Sequence, residues 1–303
     1  MDLNGSLQRL RAPAAKIARI LLRRERACRE YTPFADDICV VSYPKSGGTW
    51  LRFLIGNLIR PQTAVTFANI ETTAPSLYHN PDHRLRHAPR PRILKSHEAF
   101  FSRHGRVLYL VRDPRDIAVS YYYYLIKFRE LPPGYPIADY VPRFMREDFD
   151  AKYGPWDDHV LSWVRMRQGD PRFLLMRYED LLNDSKGELG RIARFIGIET
   201  DEARLRRAIE LSSADRMRKL EKTQSREWSA TSKSRQDMPF VRSATAGSWG
   251  GELPAASVEL IESAWGSVMQ TLGYPLNSRL RGEEGTGVRH SHVGEDVVPA
   301  AAR

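Results

Sequence analysis

The chain has 303 residues, with 47 Lys and Arg against 37 Asp and Glu, a net charge of +10. That length suits one large α/β domain or two modest ones, and the surplus positive charge points to an anionic ligand, nucleic acid or an acidic membrane surface without choosing among them. The only cysteines, Cys28 and Cys39, exclude a disulfide framework or a metal quartet, and no apolar run approaches the roughly 20 residues of a membrane span.

The first residues lack the apolar core and small-residue cleavage site of a signal peptide, so a cytoplasmic protein is expected. Residues 1–36 read as a separate basic segment. Pro13 can open a helix with Leu10, Ile17, Ile20 and Leu21 on one side, while Arg9, Arg11, Lys16, Arg19, Arg23, Arg24, Arg26 and Arg29 crowd the rest. Such a helix either lies on an anionic membrane surface, making residues 9–29 a peripheral membrane contact, or packs its narrow stripe on the domain, the commoner outcome.

From Asp37 onward short apolar or β-branched runs alternate with helical stretches. Strands are predicted at Ile38–Val41, Arg92–Lys95, Val107–Val111 and Phe173–Arg177, and helices at Trp50–Ile59, Asp116–Phe128, Trp156–Gln168, Lys186–Ile196 and Glu202–Ile209. The alternation implies right-handed crossovers and a single α/β domain over residues 37–276, its central parallel sheet flanked by helices on both faces. Ligands of such sheets bind at the carboxyl ends of the strands. Residues 277–303, rich in Gly, Glu, Arg and His, read as a flexible tail.

After the first strand comes Tyr43-Pro44-Lys45-Ser46-Gly47-Gly48-Thr49-Trp50. Two glycines let successive backbone N–H groups turn toward one point, Lys45 adds a charge, and the next helix adds the partial positive charge of its N-terminus. This is an anion cradle on a strand, loop and helix, without the Walker spacing. After the third strand, Arg112 and Ser120 can converge on one phosphate, a guanidinium fork beside a hydroxyl. The competing reading pairs Arg112 with Asp113 or Asp116, and makes at least two of Tyr121 to Tyr124 core aromatics. The second strand ends in Lys95, with His97 and Glu98 just beyond it. A histidine there is either structural or a base tuned near neutrality, with Glu98 as the reserve base.

Together these segments resemble the sulfotransferases that use 3′-phosphoadenosine 5′-phosphosulfate (PAPS), over roughly residues 38–275. The resemblance implies that Lys45, Ser46, Gly47, Gly48, Thr49 and Trp50 hold the 5′-phosphosulfate and that Arg112 and Ser120 hold the 3′-phosphate. It also implies His97 as general base and Lys95 near the sulfonate. Tyr153-Gly154-Pro155-Trp156 with His159, Val160 and Trp163 is similar to a further family stretch, although alone it reads as core. Tyr178 matches an adenine-contacting tyrosine, and Trp50 and Tyr178 offer faces to a purine. Ser212 falls where adenosine is contacted, while Ala214 replaces a common aromatic. Phe240 to Trp249 aligns with the loop that closes over the 3′-phosphate, with Arg242, Gly247 and Trp249 matching. Ser243 and Ala244 depart from an expected lysine and glycine, leaving Lys233 or Arg235 as stand-ins for the lost charge.

The implied activity is O-sulfation: transfer of a sulfuryl group from PAPS to an acceptor hydroxyl, releasing adenosine 3′,5′-bisphosphate, with no metal. The acceptor is a small molecule, lipid or glycan, and Phe128 to Trp156 is its expected wall, because loops carry specificity. Two rivals are weighed. A nucleotide kinase-like P-loop phosphotransferase needs a Walker lysine with an adjacent magnesium-binding hydroxyl, and neither is in place. A basic nucleic-acid-binding protein should spread its charge over one face, whereas the excess here sits in residues 9–29, so no nucleic acid is expected. Oligomeric state is not legible in the chain.

Overall fold

The computed structural model describes residues 30–277. The expected basic helix at residues 9–29 and the tail from residue 278 lie outside the described residues. Four strands, β1 (Ile38–Ser42), β2 (Ile93–Ser96), β3 (Arg106–Val111) and β4 (Phe173–Arg177), form one parallel sheet in the order β2-β1-β3-β4. Each lies within a residue of its predicted span. Side chains alternate between the two sheet faces: Cys39, Val41, Leu94, Val107 and Tyr109 enter one core, and Ile38, Val40, Ile93, Leu108 and Leu110 another. Both faces are therefore covered, as the apolar runs require. Pairing of Val41 with Ser96, Ser42 with Leu110 and Val111 with Arg177 brings the carboxyl ends of all four strands to one edge.

The helices among the described residues are α1 (Gly48–Ile59), α2 (Ile70–Thr73), α3 (Asp82–Arg86), α4 (Pro114–Lys127), α5 (Ile137–Met145), α6 (Trp156–Arg167), α7 (Tyr178–Asn183), α8 (Ser185–Ile196), α9 (Glu202–Leu211), α10 (Ala214–Gln224), α11 (Trp249–Glu252) and α12 (Ala255–Thr271). The five predicted helices are present, three of them starting one or two residues earlier than expected. Proline begins α4 at Pro114, where Asp113 caps it by accepting the Arg115 N–H. Several helices went unread. In α12, Val258, Ile261, Trp265 and Met269 recur every three or four residues and bury in the first core, so its periodicity was legible. α5 interrupts the expected acceptor loop; four prolines argue against a helix there, yet Tyr140, Val141 and Phe144 bury against the core.

Candidate active site

The chain leaves β1 at Ser42, turns through 43–47 and enters α1. Gly47 has φ +97°, and a Cβ there would stand 2.7 Å from the Tyr178 ring, so only glycine fits. Lys45 takes φ +69°, a left-handed conformation uncommon for a side-chain-bearing residue. α1 has no acidic residue in its first turn and no side-chain cap, leaving its N-terminal N–H groups for a ligand. Two further donors are buried without a partner: the Ser46 hydroxyl and Nε of Arg112. Unsatisfied buried donors are uncommon and costly; Ser46 belongs to the turn itself without lining the cavity that opens from it, whereas Arg112 lines that cavity. These residues therefore fit an anion.

That cradle opens into a cavity of about 1250 Å³. Single-ligand pockets span roughly 300–1,000 Å³, so this one has room for a nucleotide and a second reactant. Gly47 to Trp50, Lys45, Lys95, His97, Arg112, Ser120, Tyr178 and Arg242 all line it. The Lys45 ammonium lies 4.4 Å from the Tyr124 ring centroid and 4.7 Å from that of Phe240. Burial, followed by repulsion from Lys95 and Arg112, pulls its pKa down to about 7. Burial and Arg52 bring Lys95 to about 7 as well.

Of the two nearby carboxylates, Arg112 forms an ion pair with Asp116, one of the partners the competing reading named. Asp113 is bound by Arg115, at 2.6 Å, and Asp116 lies 3.8 Å from Arg112. The Arg112 guanidinium lies 4.3 Å over the Tyr178 ring and donates to the carbonyls of Lys45 (3.3 Å) and Thr245 (2.9 Å). Ser120 follows on α4, half-buried on the same wall. Asp116 also accepts the N–H groups of Gly247 and Trp249 at 2.8 and 3.1 Å, pinning one end of the 240–249 loop. Arg218 of α10 pins the other by donating to the carbonyls of Val241, Arg242 and Ser243. Neither Lys233 nor Arg235 lines the cavity, and Arg235 pairs with Asp237. Arg242 reaches the cavity with its guanidinium 4.5 Å over the Tyr123 ring and 2.7 Å from Glu252.

His97 leaves β2 with its ring at the cavity. Its Nδ1 lies 2.7 Å from the Ser42 carbonyl, which can only accept, so Nδ1 carries the proton and Nε2 is the basic nitrogen. Burial, then the Lys95 charge, holds its pKa well below the ordinary histidine range, so the ring is neutral. Helix α6 fixes the turn after β2: Nε2 of His159 donates to the His97 carbonyl at 2.9 Å, Trp163 Nε1 to the Glu98 carbonyl at 2.9 Å, and Ser162 Oγ accepts from Phe100 N–H at 2.9 Å. The aromatic stretch at Trp156, Val160 and Trp163 is core, as its residues alone suggested. Glu98, the reserve base, does not line the cavity; its carboxylate faces the Tyr78 hydroxyl at 3.5 Å.

Ser212 is not brought to the cavity. Its hydroxyl donates to the Ala208 carbonyl at 2.7 Å and accepts from Asn57 at 3.0 Å, and Ser213 and Ala214 line the wall instead. Trp228 enters that wall, 4.9 Å from Phe67 and 5.1 Å from Phe240. Its indole N–H donates to Glu71 at 3.1 Å, and Glu71 also holds the buried Arg52 at 2.9 Å. Burial would raise the Glu71 pKa; Arg52 overrides it and holds the carboxyl at about 2. Of the expected acceptor wall, Phe149 and Tyr153 reach the cavity, whereas Tyr140 and Phe144 are core; Tyr78, Tyr121 and Tyr124 complete the aromatic lining. Tyr121 and Tyr124 lie three apart on α4 and so share a face, whereas Tyr122 donates to the Tyr135 carbonyl. Tyr78 and Trp228 belong to no motif; an isolated aromatic in an irregular stretch gives no sequence signal. Among the described residues there is no group of three or more His, Cys, Asp or Glu placed to hold a metal, and no helix long and apolar enough to cross a membrane.

Residues 35–273 match the model of the sulfotransferase domain family. Sulfotransferase 1B1 of Canis lupus familiaris is 29% identical over 231 residues, covering 71% of this chain and 77% of that protein. Among solved structures, a mouse sulfotransferase complexed with PAP shares the fold with a TM-score of 0.62 at 22% identity, covering 85% of this chain and 91% of that one. Retinol dehydratase in complex with androsterone and the inactive cofactor PAP does so with a TM-score of 0.66 at 20% identity, over 82% of this chain and 84% of that one.

Proposed function

The chain belongs to the sulfotransferase domain family, and from that premise we propose that it transfers a sulfuryl group from PAPS to the hydroxyl of a small-molecule acceptor, leaving adenosine 3′,5′-bisphosphate. The observation that carries this reading is that Lys45, the uncapped start of α1 at Gly48 to Trp50, and Arg112, whose buried Nε has no partner, line one cavity with His97. PAPS, when bound, supplies the activated sulfuryl group. Lys45, Ser46 and the backbone N–H groups of Gly47 to Trp50 bind the 5′ end and stabilise the charge that builds on the leaving phosphate. Arg112, Ser120 and Arg242 bind the 3′-phosphate. Trp50 and Tyr178, whose rings meet edge-on at 5.6 Å, border the adenine. Ser212 takes no part.

On the acceptor side, Nε2 of His97 takes the hydroxyl proton and Lys95 faces the sulfonyl oxygens. An alcohol is a poor nucleophile at neutral pH, so a neutral imidazole with a fixed tautomer supplies what the transfer needs. The wall of Tyr78, Tyr121, Tyr124, Phe149 and Tyr153 suits an apolar or aromatic body behind that hydroxyl. The test is a screen of hydroxyl-bearing compounds, steroids and phenols included, with labelled PAPS and a mass-shift readout. Sulfated product with adenosine 3′,5′-bisphosphate released in equal amount supports the reading. No binding of that bisphosphate and no product from any acceptor class overturns it.

A further inference from the structure

We infer that Tyr78 is a positioning residue for the imidazole of His97, an inference that rests on His97 being the base. Tyr78 is delivered by a segment that runs beside β2. Lys95 N–H donates to the Pro75 carbonyl at 2.9 Å, Leu77 N–H donates to the Lys95 carbonyl at 3.1 Å, and Ser76 bridges Lys95 in parallel register. The backbone that places Lys95 thereby places Tyr78.

From that position Tyr78 constrains His97 twice. Its hydroxyl accepts the His97 backbone N–H at 2.5 Å, which fixes the turn out of β2. Its ring stacks on the imidazole, centroids 5.8 Å apart and planes 20° apart, while Tyr153 closes the other direction edge-on at 5.6 Å and 70°. With Nδ1 tied to the Ser42 carbonyl, the stack leaves the ring one plane, and Nε2 one direction. Tyr78 does not compete for the proton-accepting role: burial, then Tyr153 and Glu98, push its phenol well above the ordinary range, so it remains a neutral hydroxyl. It also lines the cavity, unlike Tyr140, whose hydroxyl reaches the Ala118 carbonyl inside the core.

The test uses the full chain. The titratable groups facing the imidazole are Lys45, Lys95, His159, Tyr78 and Tyr153, with Glu98 behind Tyr78, and a Tyr78 substitution leaves all the others in place. The first readout is the proton resonance of the His97 Cε1–H, assigned by its loss in His97→Ala. In the wild type it should stay neutral far below the ordinary histidine range; in Tyr78→Ala, which admits water to the ring, its titration should move up toward that range. The second readout is turnover with PAPS and 2-naphthol, a phenol that stays protonated at neutral pH and so needs a base. Tyr78→Phe should lower it about ten- to a hundredfold, the scale of a misplaced reacting group, while affinity for adenosine 3′,5′-bisphosphate stays unchanged and reports an intact fold. In the His97→Ala background the same substitution should cost nothing more. An equal cost in both backgrounds, or an unmoved titration in Tyr78→Ala, overturns the inference while leaving the base assignment standing. Full turnover in His97→Ala removes the base assignment and the inference together.

Discussion

On the proposed reading, His97 and Lys45 face opposite demands in one cavity: the imidazole must stay neutral to accept a proton, and the ammonium must stay charged to hold an anion. Burial pushes both toward the neutral form, which suits His97 and leaves Lys45 and Lys95 near a pKa of about 7. A bound dianion reverses the effect on the lysines by favouring their charged form. Their pKa values are thus higher in the complex, so binding is fully supported below about pH 7 and weakens as the pH rises above it, by up to about tenfold per unit for each coupled lysine. Calorimetry of adenosine 3′,5′-bisphosphate at several pH values, in buffers of different ionisation heat, should show proton uptake on the alkaline side. A flat affinity would mean that the lysines keep their charge without the ligand. For His97→Ala, turnover should fall by about two to four powers of ten with nucleotide affinity nearly unchanged, the signature of a lost general base. Lys45→Ala should impair both quantities. Normal turnover in His97→Ala together with a loss in Glu98→Ala would transfer the base role to Glu98.

One helix and one helix start shape the loop from Phe240 to Trp249. Arg218 and Glu221 stand three apart on α10, on one face, and read opposite polarities of the loop backbone: Arg218 donates to the carbonyls of Val241, Arg242 and Ser243, and Glu221 accepts the N–H groups of Phe240 and Val241. Asp116 holds the far end. On the proposed reading, serine in place of lysine at 243 removes a ligand charge without unhinging the loop, because Arg218 anchors its backbone. Arg218→Ala should speed dissociation of adenosine 3′,5′-bisphosphate; charge-assisted bonds are worth about 1.5–3 kcal/mol, and Arg218, about a third exposed, belongs at or below the lower end. Ser243→Lys should slow dissociation by adding a bond to the 3′-phosphate, and lower the steady-state rate wherever release limits it. Stopped-flow displacement separates the cases. Unchanged release from Arg242→Ala would show that this segment does not close over the phosphate.

Across the whole molecule, the parts legible in the sequence were those with a local physical signature. Strands β1 to β4 announced themselves as short apolar runs, and the cradle, Arg112 and His97 each follow one while Lys95 stands near the end of β2, so a correct reading of the sheet also located them. What escaped depends on contacts distant in sequence. Ser212 reads as a ligand by position, yet Asn57, 155 residues away, occupies its hydroxyl. Trp228 and Tyr78 reach the cavity only through the packing around Glu71 and the backbone pairing with Lys95. Such tertiary placement implies that the cavity is stabilised as a unit, by a ligand that reaches both phosphate subsites. Adenosine 3′,5′-bisphosphate should therefore raise the unfolding temperature far more than AMP at equal concentration. At a hundredfold excess over its dissociation constant it contributes about 2.7 kcal/mol, and each kcal/mol moves a domain of this size by about 2–4 °C. AMP lacks the 3′-phosphate and so forgoes the bonds proposed for Arg112, Ser120 and Arg242, worth about 1.5–3 kcal/mol where charge-assisted and buried, as at Arg112, and less at the more exposed Arg242. Differential scanning calorimetry checks it: equal shifts from the two nucleotides would mean that Arg112 and its neighbours do not form a 3′-phosphate site.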